Sequence, residues 1–336
     1  MPWSLGPPAI CRPLLACAAT VLSTALTRLL GIDHPVIQAS IGPWDAVELA
    51  AAVSNAGGLG TIGTATKSAG AVEEEIARLR DLMDAPFAVN HTMRPLDDDA
   101  YEATLEAQPP VISMALGFSA ELVERAHVAG CLFIQQVHSV EQAERAAEAG
   151  VDAIIAQGGE AGGFGGYLGA LALVPQVVDA VAPLPVVAAG GIFDGRGLAA
   201  ALVLGAQGVN VGTRFLAAEE TGVSDDWKRR IVEARSEDAV KVEFADSVFP
   251  TGGPDAFTVR PRALRTEFID KGLRNPPDET AAERMRSELM KALAAGRAHE
   301  LVPFTGETAG AIREVLPAAE ILRRMVEGAE ESLAAH

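Results

Sequence analysis

The sequence predicts an α/β fold, a (β/α)8 TIM barrel with a helical insertion or cap domain, and three observations lead there. From residue 34 onward, short apolar runs alternate with amphipathic ones, each pair taking roughly 20 to 30 residues, which is the pattern of successive βα units. The apolar runs are continuous instead of alternating, as parallel strands covered on both faces require. Eight such runs occur before the regularity breaks after Arg214.

Taken in order, the strand candidates are "PVIQA" (35–39), "LGTIG" (59–63), "FAVN" (87–90), "VISMAL" (111–116), "LFIQQV" (132–137), "AIIAQG" (153–158), "PVVAAGG" (185–191) and "GVNVGT" (208–213). The helices between them announce their starts. Asp45 is followed three residues on by Glu48 and Ser139 by Gln142, the spacing of a reciprocal cap. Asp194 opens "DGRGLAAALVLGA", and Pro175 falls where a first-turn proline is tolerated. Eight such units close naturally into a barrel; an open doubly wound sheet is the alternative the same pattern allows.

Residues 217–299 carry charged, less periodic text with Gly and Pro breaks, as in "FPTGGPDAF" and "LRNPPDET", and read as the helical insertion or cap. The amphipathic stretch "PAAEILRRMVEGAEESL" (317–333) is expected to return as the eighth barrel helix. The barrel therefore takes residues 26–216, completed by 300–336, and residues 1–25 read as an irregular N-terminal extension.

Composition narrows the function. The 336 residues are 49% hydrophobic and 21% charged, and 45 acidic against 27 basic side chains leave a formal charge of −18. A surface that acidic repels phosphodiester backbones and anionic lipid, so the expected partner is a small molecule, with neither nucleic acid nor a membrane. Cys11, Cys17 and Cys131 lack metal-ligand spacing, and no apolar run approaches the roughly 20 residues that span a bilayer; a reducing, cytoplasmic setting fits. A homo-oligomer is compatible with all of this.

In a barrel of this kind, chemistry gathers where the strands end. Those ends are rich in amides and glycines: Ala39 and Ser40, Asn90 and His91, Gln136 and His138, Gln157 to Gly163, Gly190 and Gly191, Gly212 and Thr213. Essentially one carboxylate, Glu160, stands among them, so neither a metal hydrolase nor a paired-carboxylate glycosidase is expected, and no metal site is foreseen. "AAGGIFDGRG" followed by "VGTRF" supplies bare backbone N–H groups and a hydroxyl where such barrels hold phosphate. A phosphate-bearing cofactor is the economical reading, with a simple tight turn at Gly190 and Gly191 as the alternative.

Several stretches together, "HPVIQASIG", "ELAAAVSNAGGLGTIG", "PFAVN", "VDAIIAQGGEAGG" and "LPVVAAGGIFDGRGLAAALVLGAQGVNVGTRFLAAEE", resemble the nitronate monooxygenase family, whose architecture is shared by flavin-dependent enoyl-acyl-carrier-protein reductases and NADH:quinone reductases. The resemblance runs from about Leu26 to Arg214 and resumes in "FTGETAGAIREVLPAAEIL". It implies non-covalent FMN, with Ala39 and Ser40 along the flavin, Asn90, Gln136 and Gln157 near the ring or ribityl chain, and Gly162, Gly163, Gly190, Gly191, Gly212 and Thr213 at the phosphate end. It implies an FMN-dependent oxidoreductase that oxidises an alkyl nitronate with O2 to a carbonyl compound and nitrite.

One position departs. The family usually reads "EAGGH", its histidine handling protons beside the flavin; here that place is Phe164. A phenyl ring moves no proton, so abstraction from a neutral nitroalkane is compromised, whereas a nitronate has already lost its proton. Reduction of a quinone or activated alkene by NAD(P)H, or a flavin-binding barrel without activity, are the alternatives. Of the nearby histidines, His91 is the candidate replacement for the missing imidazole and His138 reads as a residue fixing the start of the next helix. Glu160 reads as ordering the glycine loop.

Overall fold

The structure is a computed structural model that describes residues 22–42, 44, 46–249 and 255–335. Most of the expected N-terminal extension, with Cys11 and Cys17, lies outside the described residues, as do Asp45 and its expected cap. Along the chain the strands are β1 (Val36–Gln38), β2 (Gly60–Gly63), β3 (Phe87–Thr92), β4 (Val111–Ala115), β5 (Leu132–Val137), β6 (Ala153–Gln157), β7 (Gly163–Gly165), β8 (Val186–Ala189), β9 (Gly208–Val211), β10 (Ala239–Lys241) and β11 (Arg260–Leu264).

Eight of these pair in parallel in the order β1-β9-β8-β6-β5-β4-β3-β2, and a parallel bridge between Ile37 and Leu59 brings the two ends together. This is the (β/α)8 barrel the sequence predicts, with strands within two residues of the expected bounds. The final helix, Ala318–Ala334, packs on helices Gly195–Val203 and Val47–Asn55 and so fills the eighth helical place.

The barrel interior is apolar at its N-terminal end, where Ile37, Leu59, Ala88, Val111, Ile134 and Val187 meet. The short helix Ala25–Leu30 stoppers that end, burying Leu26 and Leu30 in the same cluster. Gln207 pins it: Thr24 Oγ1 donates to the Gln207 carbonyl at 2.6 Å, and Ala25 N donates to Gln207 Oε1 at 3.0 Å. With that end closed, the cavity described below lies at the strands' C-terminal ends.

Helix starts show two kinds of cap. Asp194 accepts from the backbone N–H groups of Arg196 and Gly197, and Ser139 accepts from that of Gln142, as their spacing predicts. Gln142 Oε1 reaches back one residue further than a standard box, accepting from His138 N at 2.8 Å, so His138 does fix the start of that helix. Helices Ala170–Val181 and Ala318–Ala334 have no local side-chain cap. Glu160 accepts from Ala170 N and Glu220 from Ala318 N, each carboxylate arriving from elsewhere in the fold. With its cap supplied from a distance, this helix begins five residues before Pro175, so the proline is not in the first turn. The proline sits inside, leaving the Leu171 carbonyl without its helical donor at an exposed position where water can serve.

The segment after Leu216 is not wholly helical. Besides helices Asp225–Glu233, Glu267–Arg274 and Glu279–Ala294, it carries β10 and β11, which form an antiparallel sheet in the order β10-β11-β7. The third strand comes from the glycine-rich loop of the barrel itself, with Phe164 opposite Pro261. Among the described residues no helix is long and apolar enough to cross a membrane.

Truncating the stopper tests this account of the barrel floor. Leu26→Ala empties a fully buried position, and we expect a loss of about 2–5 kcal/mol of unfolding free energy in urea denaturation, with the fold retained.

Candidate active site

Strand alternation decides which side chains enter the barrel. On β3, Ala88, Asn90 and Thr92 line the cavity while Val89 and His91 face the surrounding helices. The same rule admits Ser113 on β4, Gln136 on β5, Gln157 on β6 and Asn210 on β9. The resulting cavity holds about 340 Å³. Ala39, Ser40, Asn90, Gln136, Gln157, Gly162, Gly163, Gly190, Gly191, Gly212 and Thr213 all line it, and so does Phe164.

The walls are prepared for a polar guest. Asn90 Nδ2 donates to Ser113 Oγ at 2.9 Å, which fixes the amide's rotation. Gln157 Oε1, Asn210 Oδ1 and Thr61 Oγ1 are buried in the lining without a hydrogen-bond partner in the protein. Desolvated groups of this kind call for a ligand that pairs with them. At the other end the backbone is bare for a steric reason. Gly190 has φ +94°, and a Cβ there would stand 2.9 Å from the Gly158 carbonyl oxygen; a Cβ on Gly162 would stand 2.6 Å from Gly306 N. Gly306 N in turn donates to Thr213 Oγ1 at 2.9 Å, leaving that hydroxyl its own hydrogen to give.

The glycine loop is clamped from outside the cavity. Arg262 donates through Nε and Nη2 to the Gly159 carbonyl at 3.1 and 3.0 Å and pairs with Glu307 at 2.9 Å. Lys241 Nζ donates to the carbonyls of Gly166, Arg260 and Gly165 at 2.8, 3.2 and 3.3 Å. Burial, with Arg262 nearby, lowers the Lys241 pKa to about 8. Glu160, committed to Ala170 N, orders the loop.

His91 requires a correction: it does not reach the cavity. Its Nδ1 lies 3.0 Å from Thr64 Oγ1 and its Nε2 3.0 Å from Thr104 Oγ1, with the ring edge-on to Tyr101. Asn90 points in, so its neighbour on the same strand points out, a consequence of the two-residue period that the sequence already contained. Burial lowers the His91 pKa to about 4, against the opposing pull of Asp97. His138 is also buried away from the cavity, edge-on to Phe257, and burial lowers its pKa to about 4 against the pull of the Gln157 backbone. Sequence reasoning missed Arg94, Phe249 and Phe304, which line the cavity from an irregular turn, from the cap and from the segment after it.

A closed parallel barrel with a cavity at the strands' C-terminal ends, apolar over most of its wall but ringed by amides and bordered by glycine backbone, has the architecture of a barrel enzyme. The chain belongs to the nitronate monooxygenase family, whose model matches residues 23–328, and enzymes of this family are flavin-dependent oxidoreductases. It is 40% identical over 253 residues to the (3aS,4S,5R,7aS)-5-hydroxy-7a-methyl-1-oxo-octahydro-1H-indene-4-carboxyl-CoA dehydrogenase of Mycobacterium tuberculosis, a match that covers 74% of this chain and 68% of that one. It is 34% identical over 320 residues to a probable nitronate monooxygenase of Staphylococcus saprophyticus, covering 81% and 86%. Among solved structures, FabK from Thermotoga maritima aligns with a TM-score of 0.83 at 33% identity, covering 93% of this chain and 98% of that one.

The cavity fits a flavin on its own terms. The unpartnered Gln157, Asn210 and Thr61 oxygens suit the polar edges of a ring and its side chain, and the crowded glycine backbone suits an anionic terminus.

The two buried histidines predict a pH dependence of stability. Each has a folded pKa near 4, below the unfolded value of 6.5, so between these limits the unfolded chain binds protons that the folded one refuses. Stability is therefore expected to fall as pH drops from 6.5 towards 4 and to be insensitive to these groups above 6.5. Urea titrations of the wild type and of His91→Gln across that range check it, the variant giving the shallower fall.

Proposed function

We propose that this chain is an FMN-dependent oxidoreductase that oxidises alkyl nitronates with O2 to a carbonyl compound and nitrite. One observation carries the reading: among the described residues, the only ionisable side chains lining the cavity are Arg94 and Glu160, and Glu160 is held by Ala170 N. A site so furnished suits a substrate that arrives already deprotonated. Phe164, standing where the family resemblance places a histidine, points the same way.

Asn90, Gln136 and Gln157 would lie along the ring and ribityl chain, with the backbone of Gly162, Gly163, Gly190, Gly191 and Gly212 and the Thr213 hydroxyl at the phosphate. The chemistry FMN supplies when bound is the acceptance of electrons from the substrate and their return to O2. The protein's part is to bind, orient and exclude water. Ser113 holds the Asn90 amide in place, the Arg262 and Lys241 clamps keep the glycine loop shaped for an anion, and the aromatic side of the cavity shields the reacting carbon.

The likeness to FabK, an enoyl reductase, favours a second reading, in which an NAD(P)H-dependent reductase acts on a quinone or an activated alkene.

Anaerobic mixing of the FMN-loaded protein with propyl-2-nitronate, 2-nitropropane, NADH or NADPH, followed by flavin absorbance, separates these. We expect bleaching by the nitronate and almost none by the neutral nitroalkane. Phe164→His is expected to raise the nitroalkane rate by about 10²-fold, the scale of a positioned base, and to change the nitronate rate far less. Bleaching by a nucleotide alone would establish the reductase, and bleaching by none of the four would leave a flavin-binding barrel without this activity.

A further inference from the structure

A lysine ammonium ordinarily reaches out to water or to a carboxylate. Lys241 does neither. Standing on β10, it donates through Nζ to three main-chain carbonyls, those of Gly166 at 2.8 Å, Arg260 at 3.2 Å and Gly165 at 3.3 Å, so that its three hydrogens meet three backbone acceptors. One carbonyl opens β11 and the other two close β7, so a single side chain from the outer strand reaches across the whole β10-β11-β7 sheet. Directly opposite Lys241 on β11 is Arg262, and two cations so placed repel. Arg262 is directed at the Gly159 carbonyl, and the pair thus grips the glycine loop at both ends.

The strand they hold has little else to fix it. Its ladder with β11 is three residues long, and two of the three on β7 are glycines without a side chain to pack. Yet this strand borders the cavity. A Cβ on Gly165 would stand 2.9 Å from Gln157 Oε1 and 3.8 Å from Lys241 Nζ, so the backbone held by Lys241 lies against the cavity-lining amide whose oxygen has no partner in the protein. One residue earlier, the Phe164 ring packs against Phe249 and Phe304 at 5.6 and 5.5 Å between centroids and joins them in an aromatic wall, with the Arg94 guanidinium carbon 4.7 Å from its centre. Tyr167 covers the tie from outside, its ring 5.6 Å from the ammonium and its hydroxyl donating to Glu243 at 2.9 Å.

We propose that Lys241 is a positioning residue, a tethered ammonium that ties β10, β11 and β7 together and thereby sets where the Gln157 amide and the Phe164 ring stand in the cavity wall. The proposal rests on the flavin reading only in taking FMN as the ligand whose affinity reports that wall.

Lys241→Ala removes the side chain beyond Cβ, and the piece removed has the skeleton of n-propylammonium. The test compares FMN binding by wild type and variant, followed by flavin absorbance, and thermal melting without FMN, in propylammonium chloride and in tetramethylammonium chloride of equal ionic strength. We expect the FMN Kd of the variant to rise about tenfold, the scale of one charge-assisted hydrogen bond, and propylammonium to restore most of the affinity while tetramethylammonium, which has no N–H, restores none. The wild type is expected to be indifferent to the choice of salt. An affinity equal in variant and wild type, a loss that propylammonium leaves untouched, or equal restoration by both salts would overturn the proposal. A variant that does not fold in tetramethylammonium chloride is expected to recover a cooperative melting transition in propylammonium chloride, and failure to recover it overturns the proposal as well. If the wild type binds no FMN but propylammonium alone raises the melting temperature of the variant, the tie stands and the flavin reading fails. If wild type and variant bind FMN alike, the flavin reading stands and the tie fails.

Discussion

A closed barrel of eight short strands has room for alternate side chains only, and this two-residue period governs everything the molecule does. Inward positions near the strand starts are filled by Ile37, Leu59, Val111 and Ile134, and the Ala25–Leu30 helix seals them. Inward positions two residues later are Asn90, Ser113, Gln136, Gln157 and Asn210. The same parity that builds the floor thus sets a ring of amides and hydroxyls above it. It also sends His91 outwards, where two threonines hold it in a layer that needs a neutral ring.

The cavity's other end is held by interactions reaching across the fold. The glycine loop has little side-chain substance of its own, so its shape is imposed by Arg262 on the Gly159 carbonyl, Lys241 on the Gly165 and Gly166 carbonyls, and Glu160 on the start of the next helix. Bare backbone is available to a ligand because charged side chains elsewhere meet the loop's hydrogen-bonding needs.

What could be read in the sequence follows the same division between local and distant. Continuous apolar runs located every barrel strand, and the glycines and amides at their ends proved to line one cavity, because strand length and parity are local properties. His91, next to inward-facing Asn90 on the same strand, faces outwards by that parity. The start of the helix that contains Pro175 has no local signature, because its cap comes from Glu160, ten residues away. The sheet of β7, β10 and β11 was invisible for a related reason: its strands are three to five residues long, one is Gly-Phe-Gly, another contains Pro261, and their pairing spans distant segments. The aromatic wall joins positions 164, 249 and 304, which no spacing rule connects.

The pairing of β7 with β11 also bears on how the cap can behave. A lid that swings on a hinge needs few backbone bonds to what it covers, yet here the rim of the cavity is itself a strand of the cap's sheet. Barrel loop and cap therefore form one mechanical piece, and moving the cap as a rigid body would tear the ladder beside Phe164 and distort backbone that lines the cavity. Traffic into such a site is better served by rotation of individual side chains at its mouth, so that the speed of exchange becomes a property of a few rings and one guanidinium instead of a domain motion.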